Sequence, residues 1–285
     1  MVYQFSIVLL SLFDPRRTQP LPIQFVLTST TIYNSRMKAH SVRTETIDYL
    51  QLVYQLTSRE IKARYKQSIL GSAWVILNPF FQMLVMAFVF SFLFRFPSIG
   101  VPYALYLYVG LLPWTLLSNT LTHGMSSLIE NRSLITQIYF PRELLLVSSI
   151  SAKVVDFLLA STVLVGFLIY YQTPITLNLL WVIPIFFIQL IFMYGMSLIL
   201  SVFNLFYRDV QYMFTLVLLI WMYLTPIIYP VEAFPDRYRF IFQLNPMAVL
   251  INGYRDAILN GNMPNLASLG IALLASLLLT AIGYS

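Results

Sequence analysis

A chain of 285 residues that is 59% hydrophobic, 16% aromatic and 10% charged, with a mean hydropathy of +0.76, is too apolar for a water-soluble domain. In a soluble protein its net charge of +6 and pI near 9.4 would point to nucleic acid. In an apolar chain the same charges mark cytoplasmic loops and anionic headgroups, so membrane lipids are expected as partners and nucleic acid is not. With no cysteine, disulfides, thiolate metal sites and thiol nucleophiles are excluded.

A hydrocarbon core about 30 Å thick takes roughly 20 apolar residues per helix, and in lipid the backbone must satisfy its own hydrogen bonds. The expected fold class is an all-α integral membrane protein with six transmembrane helices behind an N-terminal amphipathic interfacial helix. The chain opens with VYQFSIVLLSLF, shorter than a span and stopped by DPRRTQPLP, without the basic stretch of a signal peptide. Helical patterning starts only near a second methionine, Met37. Residues 1–36 are therefore read as an extension or a misplaced start, and residues 1–45 as an N-terminal extension ahead of a transmembrane domain over 46–285.

From there Leu50, Tyr54, Ile61, Tyr65 and Ile69 share one narrow helical face, with Arg59, Lys62 and Lys66 roughly opposite and Arg64 on a flank. That is the pattern of a helix lying in the membrane interface; the simpler reading is a basic flank to the first span. Thr57 and Glu60 have capping-box spacing, Gly71 permits a bend into the membrane, and Trp74 suits headgroup depth.

The apolar runs predict spans over 74–94, 104–128, 144–171, 179–206, 210–229 and 265–285. One side of this arrangement holds Arg36, Lys38, Arg43, Arg59, Lys62, Arg64, Lys66, Arg132, Arg142 and Arg208; the other holds Arg95, Arg237, Arg239 and Arg255, with Glu232, Asp236 and Asp256 among them. That bias predicts a multi-pass protein of the cytoplasmic (inner) membrane with both termini cytoplasmic. No basic residue follows the last span, LLLTAIGYS, which suits a natural tail that continues further.

Between spans two and three, ENRSLITQIYFPRE places Asn131 or Ser133 to cap a short helix and Pro141 to interrupt it, with Leu134, Ile135, Tyr139 and Phe140 exposed in a loop. Apolar side chains facing only water are costly, so this segment lies on the membrane or docks on a partner. Lys153 and Asp156, three apart near the start of span three, can pair or face a water-filled path. His123 has no partner at ligand spacing, and no metal site is expected. Tyr103, Tyr106, Tyr108, Trp114, Trp181, Tyr223 and Tyr229 gather toward outer span ends, as an interfacial belt or as a lining for sugar rings. After span five, Asn245 and Pro246 form an N-cap and N1 pair for a helix over 246–259 that carries Arg255 and stops at Gly261. Pieces this short cannot span; they lie on the surface or dip back into the membrane.

In order, REIKARYKQSILGSAWVILNPF, YVGLLPWTLLSNTL, ENRSLITQIYFPRELLLV, LFYRDV, LTPIIYP and LNPMAVLINGYRDAIL resemble the permease subunits of ATP-binding-cassette exporters for O-antigen, capsule and teichoic acid polymers. The resemblance covers about residues 46–264. It implies a homodimeric, non-enzymatic transport subunit for a lipid-linked glycan, served by a separate P-loop ATPase that binds ATP and Mg. This chain has no G-x-x-x-x-G-K-[ST] loop of its own.

The resemblance further implies that residues 131–143, with Arg132, Arg142 and Glu143 setting register, form a coupling helix. It makes Arg59, Glu60, Lys62, Arg64, Tyr65 and Lys66 part of an interface helix. Asn245, Pro246 and Arg255 fall in re-entrant helices at the outer channel mouth, and Tyr103, Tyr106, Trp114, Tyr223 and Tyr229 become candidate glycan contacts. Two alternatives stand beside it. The same architecture serves a drug, lipid or peptide cargo; or the chain is a membrane-embedded glycan- or lipid-assembly enzyme, for which Glu232, Asp236 and Asp256 offer no D-x-D pattern.

Overall fold

The computed structural model describes residues 42–65, 70–92, 101–132, 135 and 141–285, and among them every regular element is a helix. The extension at 1–36 lies outside the described residues, as do Lys66, Ser133, Leu134, Tyr139, Phe140 and the side chain of Tyr65. The helices are α1 (Val42–Tyr65), α2 (Ala73–Phe92), α3 (Tyr103–Glu130), α4 (Glu143–Tyr170), α5 (Val182–Phe206), α6 (Val210–Leu224), α7 (Asp236–Leu244), α8 (Pro246–Arg255) and α9 (Leu266–Tyr284). A 3-10 turn, Leu177–Trp181, leads into α5.

Among the described residues four segments are long and apolar enough to cross a membrane: Ala73–Ser91, Glu143–Tyr170, Leu177–Phe206 and Leu266–Tyr284. The second expected span, α3, is less apolar than α2, α4, α5 and α9 because hydroxyl and amide side chains interrupt it. It is also the most enclosed: it packs on α2, α4, α5, α6 and α8, and most of its residues are buried. A helix surrounded by protein does not need a lipid-compatible surface, and hydropathy underrates it. The expected fifth span, 210–229, is helical only to Leu224, because Pro226 cannot continue the hydrogen-bond ladder.

Buried polar side chains join the helices by capping carbonyls on neighbours. Tyr108 Oη donates to Ala160 O at 2.9 Å and Asn204 Nδ2 to Met125 O at 3.0 Å. Gln189, fully buried, donates to Pro113 O at 2.8 Å and accepts from Tyr254 Oη at 2.9 Å, tying α5 to α3 and α8. The stretch after α6 bears out the short helices read from the sequence. Asn245 Oδ1 accepts from Met247 N at 3.1 Å as an N-cap, Pro246 takes the first helical position, and a π turn over Asp256–Asn260 ends at Gly261 with φ 61. That left-handed stop suits a residue without Cβ.

Candidate functional site

Polar chemistry concentrates at three places along α3. The first is the end where α3 meets α1 and α4. Leu56, Leu128 and Leu145 form a small buried cluster there, and Thr57 Oγ1 reaches Ser148 O at 3.3 Å. Thr57 is thus a helix-to-helix contact and not a cap, and α1 runs through it unbroken. Arg59 Nη2 donates to Asn131 Oδ1 at 2.5 Å, while Asn131 Nδ2 returns to Ser127 O at 2.9 Å. Asn131 closes the C-terminus of α3, where the sequence suggested that it opens a helix.

Arg64 pairs with Glu60 at 3.1 Å and with Asp156 of α4, and Lys153 Nζ lies 3.8 Å from Asp156 Oδ2. The Lys153 and Asp156 pair read from spacing is therefore present, but Arg64 joins it from 92 positions away. Burial lifts the Glu60 carboxyl above its ordinary range, against the attraction of Arg64 and Lys153. On the other face of α1, Tyr54 is 74% exposed, and Arg59 and Lys62 are exposed too.

The second place is a groove of about 740 Å³ between α2, α3, α4 and α6. On α2 its wall is Trp74, Asn78 and Gln82, and on α3 it includes Trp114, Asn119 and Thr122. Residues four apart stack on one helix face, so each helix turns a polar stripe to the same space. Sequence reasoning passed over Asn78, Gln82, Ser118, Asn119 and Thr122, although amides and hydroxyls at that spacing inside apolar runs were the available signal. Thr122 and Ser118 bond back to their own helix, Thr122 Oγ1 to Ser118 O at 2.8 Å and Ser118 Oγ to Thr115 O at 3.3 Å. Arg64, Lys153 and Asp156 stand at the α1 end of this groove.

The third place is the unwound stretch after α6. Three side chains bind its successive carbonyls: Arg255 donates to Pro226 O at 2.5 Å and Ile227 O at 2.7 Å, Tyr103 to Ile228 O at 2.7 Å, and Tyr106 to Tyr229 O at 3.4 Å. The Arg255 guanidinium also lies 3.7 Å over the Tyr106 ring, a cation–π contact. Asn245 accepts from Trp221 Nε1 and donates to Thr225 Oγ1, both at 3.0 Å. An irregular backbone in apolar surroundings needs such partners. Of the five aromatics expected at a channel, Tyr103 and Tyr106 brace this stretch, Tyr229 donates to Tyr223 O at 2.8 Å, and Tyr223 is exposed. Trp114 is 3% exposed, packed edge-on to Trp221 at 5.8 Å. Among the described residues no three His, Asp or Glu side chains gather as metal ligands.

A helical bundle with membrane-length apolar helices and polar stripes gathered along one groove has the build of a membrane transport subunit. The chain belongs to the ABC-2 type transporter family, which it matches over residues 51–259. It is 33% identical over 236 residues to an O-antigen export system permease protein RfbA of Klebsiella pneumoniae, covering 82% of this chain and 90% of that one. A protein of the same name from Myxococcus xanthus is 32% identical, over 78% and 85% of the two chains. The polysialic acid transport protein KpsM of Escherichia coli is 23% identical, over 82% and 91%.

Proposed function

We propose that this chain is the transmembrane permease subunit of an ATP-driven exporter that moves a lipid-linked polysaccharide out across the cytoplasmic membrane. The groove carries this reading, because a stripe of uncharged amides and hydroxyls beside tryptophan suits a sugar chain that must slide without being trapped. The permease names of its relatives and their high mutual coverage support the same cargo class.

In this reading two copies face each other across their grooves, and each meets one P-loop ATPase, which holds the ATP and Mg. Six helices cross: α2, α3, α4, α5, α6 and α9, with both termini cytoplasmic. The positive-inside bias supports this orientation. Helix α1 lies along the inner interface, residues 130–143 dock on the ATPase, and residues 231–261 dip back from the outer surface. Closure of the ATPases on ATP moves α1 and the coupling segment, and the paired grooves open. No bond chemistry falls to this chain.

Gentle purification from the native membrane tests the reading. A P-loop ATPase is expected at one copy per permease, and deletion of the permease gene is expected to leave the surface polysaccharide inside the cell. An intact preparation without any ATPase, or surface polysaccharide untouched by the deletion, overturns it.

A further inference from the structure

Three of the four helices around the groove bring no charge to it. Helices α2 and α6 hold no Asp, Glu, Lys or Arg, and α3 holds only Glu130, its last residue, which does not line the groove. The charged side chains in the wall are Arg64, Lys153 and Asp156, all at the α1 end. They pair among themselves and with Glu60: the Arg64 fork bonds Glu60 and Asp156, and Lys153 Nζ lies 3.8 Å from Asp156 Oδ2. Two cations thus meet two carboxylates, and among the described residues the groove has no surplus cation to offer a polymer.

The remaining polar wall is amide and hydroxyl. Asn78 and Asn119 are exposed and Gln82 is half-buried, and Thr115 and Thr215 add hydroxyls. An open amide on an apolar helix of membrane length such as α2 is costly against lipid, so these groups face water or cargo. An amide both donates and accepts, which suits sugar hydroxyls that do the same. Its neutral hydrogen bonds are about half as strong as charge-assisted ones, so a sliding chain is released at each step. A polymer with a carboxylate or phosphate in every repeat would instead desolvate one charge after another without a counter-ion.

We propose that the groove selects a glycan whose repeat units carry no charge, and that Asn78, Gln82 and Asn119 are its specificity-determining contacts. This rests on the function proposed above and adds to it the class of polymer. The amides hold passing hydroxyls, and the uncharged walls of α2, α3 and α6 turn acidic chains away.

The composition of the cargo is the first test. The permease gene is deleted and restored in cells, and the surface polysaccharide that disappears and returns is hydrolysed and analysed. Its repeat is expected to contain neutral sugars and no uronic acid, sialic acid or phosphodiester. An acidic group in the repeat overturns this inference and leaves the export function standing, whereas surface polysaccharide indifferent to the deletion defeats the function itself.

Opposite charges at one position then show whether the groove does the selecting. In cells carrying the full chain with its ATPase, Asn119→Asp and Asn119→Lys are each expected to lower export about fivefold or more per permease in the membrane. The two should stay within about tenfold of one another, because a neutral chain gains nothing from either sign. A chain charged in every repeat would separate them by more than about tenfold, attracted by one and repelled by the other. Asn119→Gln, which keeps the amide, is expected to export within roughly threefold of wild type. A separation of the charged pair in either direction, wild-type export by both, or Asn119→Gln exporting no more than they do, overturns the proposal. If either charged variant lowers the amount of permease in the membrane, the same pair at Asn78, also exposed, is read in its place.

Discussion

Glu60 shows how one side chain couples α1 to the bundle. Its carboxyl bonds Arg64 and approaches Ser149 Oγ at 3.5 Å, yet burial outweighs these partners and holds its proton affinity above the ordinary value of 4.5. The folded protein then binds this proton more tightly than the unfolded chain. The stability that Glu60 contributes is fully present below about 4.5 and is lost as pH rises through the raised value. Glu60→Gln, a permanent mimic of the protonated form, should melt higher than wild type at neutral pH, and the gap should close as pH falls toward 4.5. Thermal midpoints of both proteins across that range check this.

Gly110 gives a steric counterpart. A Cβ there would lie 2.8 Å from Arg255 Nη2, inside the clamp on residues 226–229, whereas one on Gly166 meets nothing within 4 Å. Gly110→Ala should cost about 1–3 kcal/mol, the scale of overpacking, while Gly166→Ala on α4 should be neutral or slightly stabilising. Denaturation of the two variants in one detergent compares them. At this scale the sequence was half legible. Lys153 and Asp156 declared themselves because three residues is a helical neighbour distance. Arg64 and Gly110 did not, since each meets its partner across more than 90 positions of chain.

Elements were more legible than contacts, and the misreadings have physical causes. The apolar runs located α2, α4, α5 and α9 to within a few residues because lipid enforces length. Thr57 and Glu60 mimic a capping box, but a cap needs a free helix start and here α1 is continuous. Helix α6 was overextended because the apolar pattern runs on past Pro226 while the backbone cannot. In the proposed function the segment between α3 and α4 is the one that meets the ATPase. Asn131 anchors its beginning to α1 through Arg59, and Pro141 accepts from Leu144 N at 3.1 Å as α4 starts. In the proposed function these two ends pass movement of the segment to α1 and α4. Reversing Arg132 and Arg142 to Glu should therefore reduce recovery of the ATPase with the permease at least about tenfold, since two charge reversals at an interface cost several kcal/mol. Membrane insertion should be unchanged. Quantitative co-purification beside membrane fractionation reads both, and full ATPase recovery would leave the segment as a surface loop.

At the scale of the whole molecule, the number of crossings rests on the shortest apolar helix. Fifteen residues of α6 at about 1.5 Å each reach about 22 Å, less than the roughly 30 Å of a hydrocarbon core. In the proposed topology the clamped stretch 225–230 completes the distance: Thr225, Pro226, Ile227, Ile228 and Pro230 are buried, and the carbonyls from 226 to 229 are bound by side chains, which suits a backbone that is not helical at membrane depth. On that account Arg208, exposed before α6, lies inside, and Asn262, exposed before α9, lies outside. The chain has no cysteine of its own, so Arg208→Cys, Asn262→Cys and Ser285→Cys each place one thiol in a silent background. A membrane-impermeant maleimide added to intact cells should label Asn262→Cys alone, and permeabilised cells should expose all three. Absence of Asn262→Cys labelling in intact cells would mean that α6 does not cross, and labelling of Arg208→Cys there would overturn the proposed orientation.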